Sequence, residues 1–458
     1  MENLTPEQET FLADLFPSDA LLLRPEQTAV FSTDASRLRA APLAVVRPKN
    51  REQVAELLHW AHSERIPIYP RARGTGTVGN AVPAKPGIVI SMLAMNRILD
   101  IDDRDFVAVV EPGVVTGDLQ RTVSERNMFY PPDPASSGFS TVGGNVSTCA
   151  GGLRAVKYGV TRDYVLGLEA ILPGGRALRS GGRAHKDVVG LDLTRLFVGS
   201  AGKLGVITEL TLKLLPKPET TASVLAGFPD IRRAMDGAAA IFRAGMLPAA
   251  LEFMDKATLT ALDIAGTSPL PKEAQAALLV RVDGSEAVVN AETDRLQAAL
   301  QKARPVHLMT GRDENEEALW DVRRGISPAS FHLKPDKLGE DIAVPRGKVA
   351  EAVEGVHAIA AKYNLTIMCF GHLGDGNIHV NTMYNASWPE EADNAAMAKG
   401  EIFRLALSLG GSISGEHGTG LTKAAYVDLQ LGADQQALMA DIKRLFDPHG
   451  IMNPGKGW

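Results

Sequence analysis

Cysteine is nearly absent from the chain: Cys149 and Cys369 are the only two in 458 residues. Two thiols cannot build a disulfide framework or supply the four cysteines of an iron–sulfur cluster. Long hydrophobic runs are missing too. Apolar residues make up 45% of the chain, yet no run reaches the about 18 residues of a membrane span. There is no excess of basic charge. Lys and Arg number 48 against 54 Asp and Glu, a net charge of −6 with a pI near 6.0, which argues against a nucleic-acid surface, since that would need a basic patch. The first residues, MENLTPEQETFLADLF, lack the positive charge of a secretory leader. They read instead as a capped helix, with Thr5 at the N-cap, Pro6 in the first turn and Gln8 reaching back. We find no internal repeat, low-complexity segment, Walker-type Gly-Lys-Ser/Thr or haem motif. The expectation is a soluble, cytoplasmic protein, long enough for two or three domains.

What is present centres on Phe370–Asn381, FGHLGDGNIHVN, where two histidines flank a Gly-Asp-Gly-Asn turn. Asp-Gly favours a type I′ hairpin, whose two central residues both need positive φ. With Asp375 and Gly376 in those places, His372 falls opposite His379. Directly opposed Cβ atoms lie about 4.5–5.5 Å apart on one face, close enough for two imidazoles to share one metal ion. Gly410–Gly420, GGSISGEHGTG, adds a carboxylate and a third imidazole. Glu416 suits a third ligand with one coordination position left open, and His417 suits proton abstraction beside it.

The first half carries glycine loops. Asn50 caps a helix within Pro48–Arg65, with Gln53 at the third position. The strand Ile66–Tyr69 then runs into Arg71–Asn80, where Gly74, Gly76 and Gly79 satisfy G-x-G-x-x-G. A Rossmann fingerprint must open a helix, but Pro83, Pro86 and the strand around Ile88 follow too soon. That leaves a glycine loop between two strands, read either as a plain turn or as backbone N–H groups shaped to hold an anion. After the strand Phe106–Glu111 and the helix Thr116–Arg126, residues 131–152 are long, small and hydroxyl-rich. They suggest an irregular, backbone-lined trough for a flat polar ligand. Gly199–Thr208 leads into an alternating strand through Leu215.

Pro216–Glu219 marks a boundary. Beyond it, strands at Val224–Phe228, Ala250–Phe253, Ala277–Val282 and Val306–Met309 alternate with helices at Asp230–Ala244, Glu286–Lys302 and Lys348–Lys362. The pattern suggests an open sheet covered on one face. Trp320–Ser327 lies on a helix ending near Gly325. One of Arg323 and Arg324 could grip a carboxylate, though a solvated helix face is the plainer reading. The orientation of Lys334, Lys337 and Glu340-Asp341 stays open.

From about Pro42 to Lys456 the chain resembles the FAD-linked D-2-hydroxyacid dehydrogenases of the vanillyl-alcohol-oxidase superfamily. The resemblance rests on ordered motifs: Arg73-Gly-Thr-Gly76, Gly143-Gly-Asn-Val146, Ala150-Gly-Gly152, Lys157-Tyr-Gly159, Leu204–Thr208, Gly371-His372 to His379, Ser414–Gly418 and Asn453–Lys456. It implies an α+β fold. A two-subdomain FAD-binding domain would occupy 38–219 after an N-terminal helix and lead-in at 1–37. An α/β substrate domain with an open antiparallel sheet would follow at 220–430. A C-terminal segment at 431–458 would return its helix, near Gln435–Phe446, to the FAD domain.

The same resemblance implies site residues. FAD would bind non-covalently, since no histidine lies in Arg71–Asn80. The pyrophosphate would sit on Arg73, Gly74, Thr75, Gly76, Thr77, Gly79 and Asn80. The flavin and ribityl chain would run along Pro132, Ser140, Thr141, Gly143, Gly144, Asn145, Thr148, Ala150 and Gly151, with Tyr158 nearby. Gly205 and Ile207 would lie towards the adenine, and Asn453 beside the isoalloxazine. His372, His379 and Glu416 match a divalent-metal site, with zinc favoured over manganese or iron. His417 matches the base, Arg323 a carboxylate anchor that Lys337 would join as a catalytic residue, and Ser327 and Asn381 substrate-side groups. Ala201, Lys203 and Cys149 depart from the residues many relatives carry.

The implied reaction oxidises a small D-2-hydroxy acid to the 2-oxo acid. D-Lactate is favoured, with glycolate and D-2-hydroxyglutarate as alternatives. Electrons would pass to an iron–sulfur subunit, an electron-transfer flavoprotein, a cytochrome or a quinone, and a partner could bring the protein to a membrane periphery. A homodimer is compatible with this reading. Two rivals belong to other classes: a non-catalytic nucleotide-binding subunit of a larger redox complex, and a metal-free flavin oxidase of alcohols or phenols.

Overall fold

The computed structural model describes residues 3–458. The chain forms two compact units. One comprises the chain up to Gly151 together with Val160–Lys217 and His417–Trp458; the other comprises Gly152–Gly159 and Pro218–Glu416.

The first unit holds two main sheets. Strands β1 (Leu21–Leu22), β2 (Ala44–Val46), β3 (Ile68–Arg71) and β4 (Ile88–Ser91) form one, in the order β1-β2-β4-β3. Strands β5 (Ile98–Asp102), β6 (Val107–Val110), β8 (Val165–Ile171), β9 (Ala177–Gly181) and β10 (Val206–Lys213) form the other, in the order β5-β6-β10-β8-β9. The short β7 (Met128–Phe129) pairs with β11 (Leu215–Pro216). The helix Arg51–Glu64 starts at Asn50, whose side chain accepts the Gln53 N–H, and buries Val54, Leu57, Leu58 and Ala61. The first helix, Pro6–Leu15, carries the capping box of Thr5 and Gln8 and stacks Phe11 on Trp60 at 4.5 Å. The helix Ala433–Phe446 belongs to this unit and sets Phe446 edge-on to Phe197.

The glycine loop joins β3 to β4, which run parallel, and contains no helix, as expected. The irregular course expected over 131–152 is corrected in its middle: Val142–Thr148 is helical, with Thr141 accepting the Gly144 N–H, while the flanking residues are irregular. The glycines there serve close packing. A Cβ on Gly143 would stand 2.4 Å from Pro112 Cβ and 2.8 Å from its carbonyl oxygen. Small residues in sequence suggest looseness, whereas here their smallness lets a short helix lie against backbone.

The second unit is built on one seven-stranded antiparallel sheet. Its strands are β12 (Thr220–Phe228), β13 (Ala250–Met254), β14 (Ala276–Gly284), β15 (His307–Gly311), β16 (Asp336–Ala343), β17 (Thr366–His372) and β18 (Asn377–Tyr384), in the order β15-β12-β14-β13-β17-β18-β16. Helices Ile231–Arg243, Glu286–Gln301, Val349–Lys362 and Pro389–Ser408 pack on the sheet. So do Lys256–Ile264 and Asp313–Arg324. They share an apolar cluster with Leu225, Leu279, Met368 and Phe370, residues that register places on one face. The expected single-face covering is therefore corrected to helices on both faces. The helix expected to end near Gly325 is present as Asp313–Arg324, whereas Lys256–Ile264, only nine residues long, has too short a stripe to stand out in the sequence.

Candidate active site

The hairpin forms, but not in the expected register. Phe370, not His372, lies opposite His379. Gly376 takes φ +84°, while Asp375 is not among the residues with positive φ, so a type I′ turn cannot close. Instead Leu373–Gly376 turns as a longer loop, in which the Gly376 N–H reaches the His372 carbonyl at 3.1 Å. The Asn377 N–H donates to Asp375 Oδ1 at 3.2 Å. Leu373 is 2% exposed, and burying it is worth about 2 kcal/mol, which favours the longer turn. The slip is two residues. An even slip keeps every side chain on its face, so the histidines remain together, diagonal rather than opposed, with ring centroids 5.1 Å apart and planes at 85°.

Glu416 completes the cluster. Its Oε1 lies 3.6 Å from Nε2 of His372 and 3.6 Å from Nε2 of His379, and the three donor atoms lie within 4.8 Å of one another. Four bonds of zinc length in a tetrahedron separate neighbouring donors by about 3.3 Å. Two imidazoles and a carboxylate thus fit a divalent ion in number, spacing and chemistry. Burial would lower the pKa of His372, but the flanking carboxylates of Glu252 and Glu416 outweigh it and raise it well above the usual histidine range. The cluster draws a positive charge into its centre. It does not discriminate among zinc, manganese and iron.

Around this cluster, neighbouring strands supply carboxylates that sequence reading missed or left unoriented. Glu252 on β13 is directly opposite His372 and wholly buried. Its Oε1 meets His372 Nδ1 at 2.6 Å and its Oε2 accepts Arg323 Nε–H at 2.6 Å. Burial would raise its pKa, yet His372 and Arg323 bring it down to about 2. Asp341 on β16 is opposite His379 and also wholly buried. It accepts the N–H groups of Gly415 at 2.7 Å and Glu416 at 2.6 Å, which fixes the loop that carries the Glu416 carboxylate. No local motif announces Glu252. The faint signal is a charged residue in the apolar strand Ala250–Met254, a place that favours charge only with partners.

Arg323 and Arg324 separate cleanly. Arg323 lies over the Phe370 ring at 5.0 Å, and its side chain is 14% exposed. Arg324 faces solvent, paired with Glu317 at 2.9 Å and Asp321 at 2.7 Å. Lys334 is taken by Glu391 at 3.0 Å. Lys337 Nζ donates to Ser327 Oγ at 3.0 Å, and Asn381 lies two residues beyond His379 on β18. His417 follows Glu416 directly and is half-buried. A second possible ligand group, Asp255, His357 and Cys369, reads as a structural lock. Both Asp255 oxygens are engaged, one by Thr258, the other by His357 Nε2 at 2.8 Å and the Cys369 N–H at 3.0 Å.

In the first unit the glycine loop fits a pyrophosphate. Among the described residues, no backbone N–H from Arg73 to Gly79 has an acceptor in the protein, and a Cβ on Gly76 would meet nothing within 4 Å. Arg71 secures the loop from behind. Its buried guanidinium donates to the carbonyls of Thr33 at 2.7 Å, Val30 at 3.3 Å and Ala81 at 3.3 Å. Asn453 Nδ2 holds the carbonyls of Ala201 at 2.6 Å and Asn80 at 3.3 Å, leaving its buried Oδ1 without a partner. A ligand N–H is what such an atom lacks. Thr116 Oγ1 binds Asn145 Nδ2 at 2.7 Å and contacts Ser140 Oγ at 3.2 Å, so these two polar side chains brace the segment. Tyr158 lies in the second unit, where its hydroxyl donates to Asp283 at 2.6 Å. Lys203 donates to the carbonyls of Lys456 and Trp458.

A glycine loop with unengaged backbone N–H groups and a histidine–carboxylate cluster near a largely buried arginine are compatible with a nucleotide-dependent enzyme, and the comparisons give its class as a flavin-dependent oxidoreductase. Residues 42–181 match the FAD binding domain family and residues 217–457 the C-terminal domain of FAD linked oxidases. The chain is 42% identical to glycolate oxidase subunit GlcD of Bacillus subtilis, covering 93% of this chain and 91% of that one. It is 35% identical to a D-lactate dehydrogenase of Anaerostipes hadrus, covering 99% and 97%. It is 32% identical to a D-2-hydroxyglutarate dehydrogenase of Stutzerimonas stutzeri, covering 91% of each. Among solved structures, p-cresol methylhydroxylase superposes with a TM-score of 0.83 at 18% identity over 99% of this chain and 97% of that one, a likeness of fold. The chain belongs to the FAD-linked 2-hydroxyacid dehydrogenase family, with the vanillyl-alcohol-oxidase fold. No helix among the described residues is long and apolar enough to cross a membrane.

Proposed function

We propose that the chain oxidises a small D-2-hydroxy acid to its 2-oxo acid with the help of a divalent metal, zinc before manganese or iron, and that D-lactate is the favoured substrate. The observation that carries this is the convergence of His372, His379 and Glu416 near a largely buried arginine that keeps its terminal nitrogens. When bound, FAD supplies the hydride acceptor and the metal the Lewis acidity that makes the α-hydroxyl easier to deprotonate. Arg323 grips the substrate carboxylate with Nη1 and Nη2, because its Nε is committed to Glu252. Ser327 and Lys337, already hydrogen-bonded to each other, add polar contacts on the substrate side with Asn381. His417 takes the hydroxyl proton. The FAD-binding domain corresponds to 38–219 and the substrate domain to 220–430, with 431–458 completing the former.

The engagement of Arg324 and Lys334 by acidic neighbours supports a short monocarboxylate over an acid that needs a second anchor. D-Lactate and glycolate differ by one methyl, worth about 1–3 kcal/mol in an apolar pocket. Electrons leave for a separate acceptor: an iron–sulfur subunit, an electron-transfer flavoprotein, a cytochrome or a quinone. The test is flavin bleaching by a panel of D- and L-2-hydroxy acids, on the wild type and on His372→Ala. D-Lactate should bleach the wild type, and the variant should keep its FAD but lose turnover. Near-normal turnover by the variant after removal of trace metal refutes the metal role.

A further inference from the structure

We infer that Glu252 is a positioning residue that ties the metal ligand His372 and the carboxylate anchor Arg323 into one rigid unit. The inference rests on the metal-site reading above and extends it to a residue outside the ligand set. Glu252 lies on β13, opposite His372 on β17 and opposite Leu279 on β14. Its side chain is wholly buried, and its two oxygens divide their work: Oε1 to His372 Nδ1, Oε2 to Arg323 Nε, both at 2.6 Å.

Each contact has a chemical consequence. An imidazole that donates through Nδ1 offers the lone pair of Nε2, and His372 Nε2 is the atom that faces Glu416. An arginine held at Nε, with its guanidinium over the Phe370 ring at 5.0 Å, cannot swing, and presents the Nη1–Nη2 edge as a fixed fork. One carboxylate therefore sets the tautomer of a ligand and the direction of the substrate anchor together. A role in stability alone explains this poorly. Buried ion pairs are often no better for stability than apolar packing of similar volume, and the strand is otherwise apolar.

Glu252→Gln keeps the shape but turns one of the two contacts into a donor facing a donor. In the folded holoenzyme variant, zinc affinity should fall about 10- to 100-fold and KM for the hydroxy acid should rise, while FAD content stays at the wild-type level. A folded variant with a lower Tm but unchanged zinc Kd and unchanged KM overturns the inference and leaves Glu252 purely structural. A second measurement needs no variant. In wild-type protein labelled with 15N-histidine and loaded with 113Cd, the metal should couple to Nε2 of His372, with Nδ1 bearing a hydrogen-bonded proton. Coupling through Nδ1 overturns the assignment. A wild type that binds neither zinc nor cadmium is a different result: it removes the metal-site reading itself.

Discussion

Removing the carboxylate of Asp341 should loosen Glu416, the third ligand proposed for the metal, without touching any proposed ligand atom. Asp341 is wholly buried, and its Oδ2 accepts two consecutive N–H groups, those of Gly415 and Glu416, at 2.7 and 2.6 Å. Ser414 Oγ adds a longer contact to Oδ1 at 3.2 Å. A hydrogen bond to a charged acceptor is worth about 1.5–3 kcal/mol, so two amount to roughly 3–6 kcal/mol. Water entering the polar hole left by Asp341→Ala returns part of this, leaving about 2–4 kcal/mol. Ordering the loop must then be driven by the ion, so that cost appears as an about 30- to 700-fold weaker zinc Kd. Competition with a chromophoric chelator measures the affinity, and hydrogen exchange of the 412–420 peptide measures the loop. Asp341→Asn keeps one neutral acceptor and should lose less. A folded Asp341→Ala protein with wild-type zinc affinity and wild-type protection refutes the reasoning.

Two further outcomes concern the flavin cradle. Gly74 has φ +69°, and a Cβ there would stand 2.3 Å from Arg71 Nη2; the left-handed backbone alone costs about 1–2 kcal/mol for alanine. Gly74→Ala should lower both stability and flavin absorbance per protein. Gly76→Ala, with open space around it, should keep its stability and lose only flavin; full retention of FAD in Gly76→Ala counts against pyrophosphate at that loop. The last outcome is a pH dependence. Burial pushes the ammonium of Lys456 down to about 8, with Asp34 opposing, and the side chain donates to the Val82 carbonyl. Between about pH 8 and the ordinary lysine value the unfolded chain binds more protons than the folded one, so stability should rise with pH across that window. Chemical denaturation should show a flatter rise in Lys456→Met, and an unchanged slope removes Lys456 as the cause.

Much of the fold was legible in local chemistry. Asn50 and Thr5 marked helix starts because caps act within one turn, and the early prolines after Gly79 excluded a Rossmann helix. The face shared by His372 and His379 was legible because strand periodicity survives an even slip. Their exact register was not. It depended on whether Leu373 could be buried, and only the surrounding second unit decides that. The helix Val142–Thr148 was hidden because its glycines signal looseness in sequence and closeness in space.

The amino-acid sequence by itself pointed to His372, His379 and Glu416 as groups able to share a cation, and to a glycine loop between two strands, since residue type and local motif carry that chemistry. Tertiary structure alone decided which charges face inward. Arg323 and Arg324 are adjacent and alike, yet one is clamped by a buried glutamate and the other meets solvent. Glu252 and Asp341 join the site because β13 and β16 flank the hairpin strands in the sheet. Those pairings link residues more than a hundred positions apart in one case and about forty in the other, a distance over which no local pattern can speak.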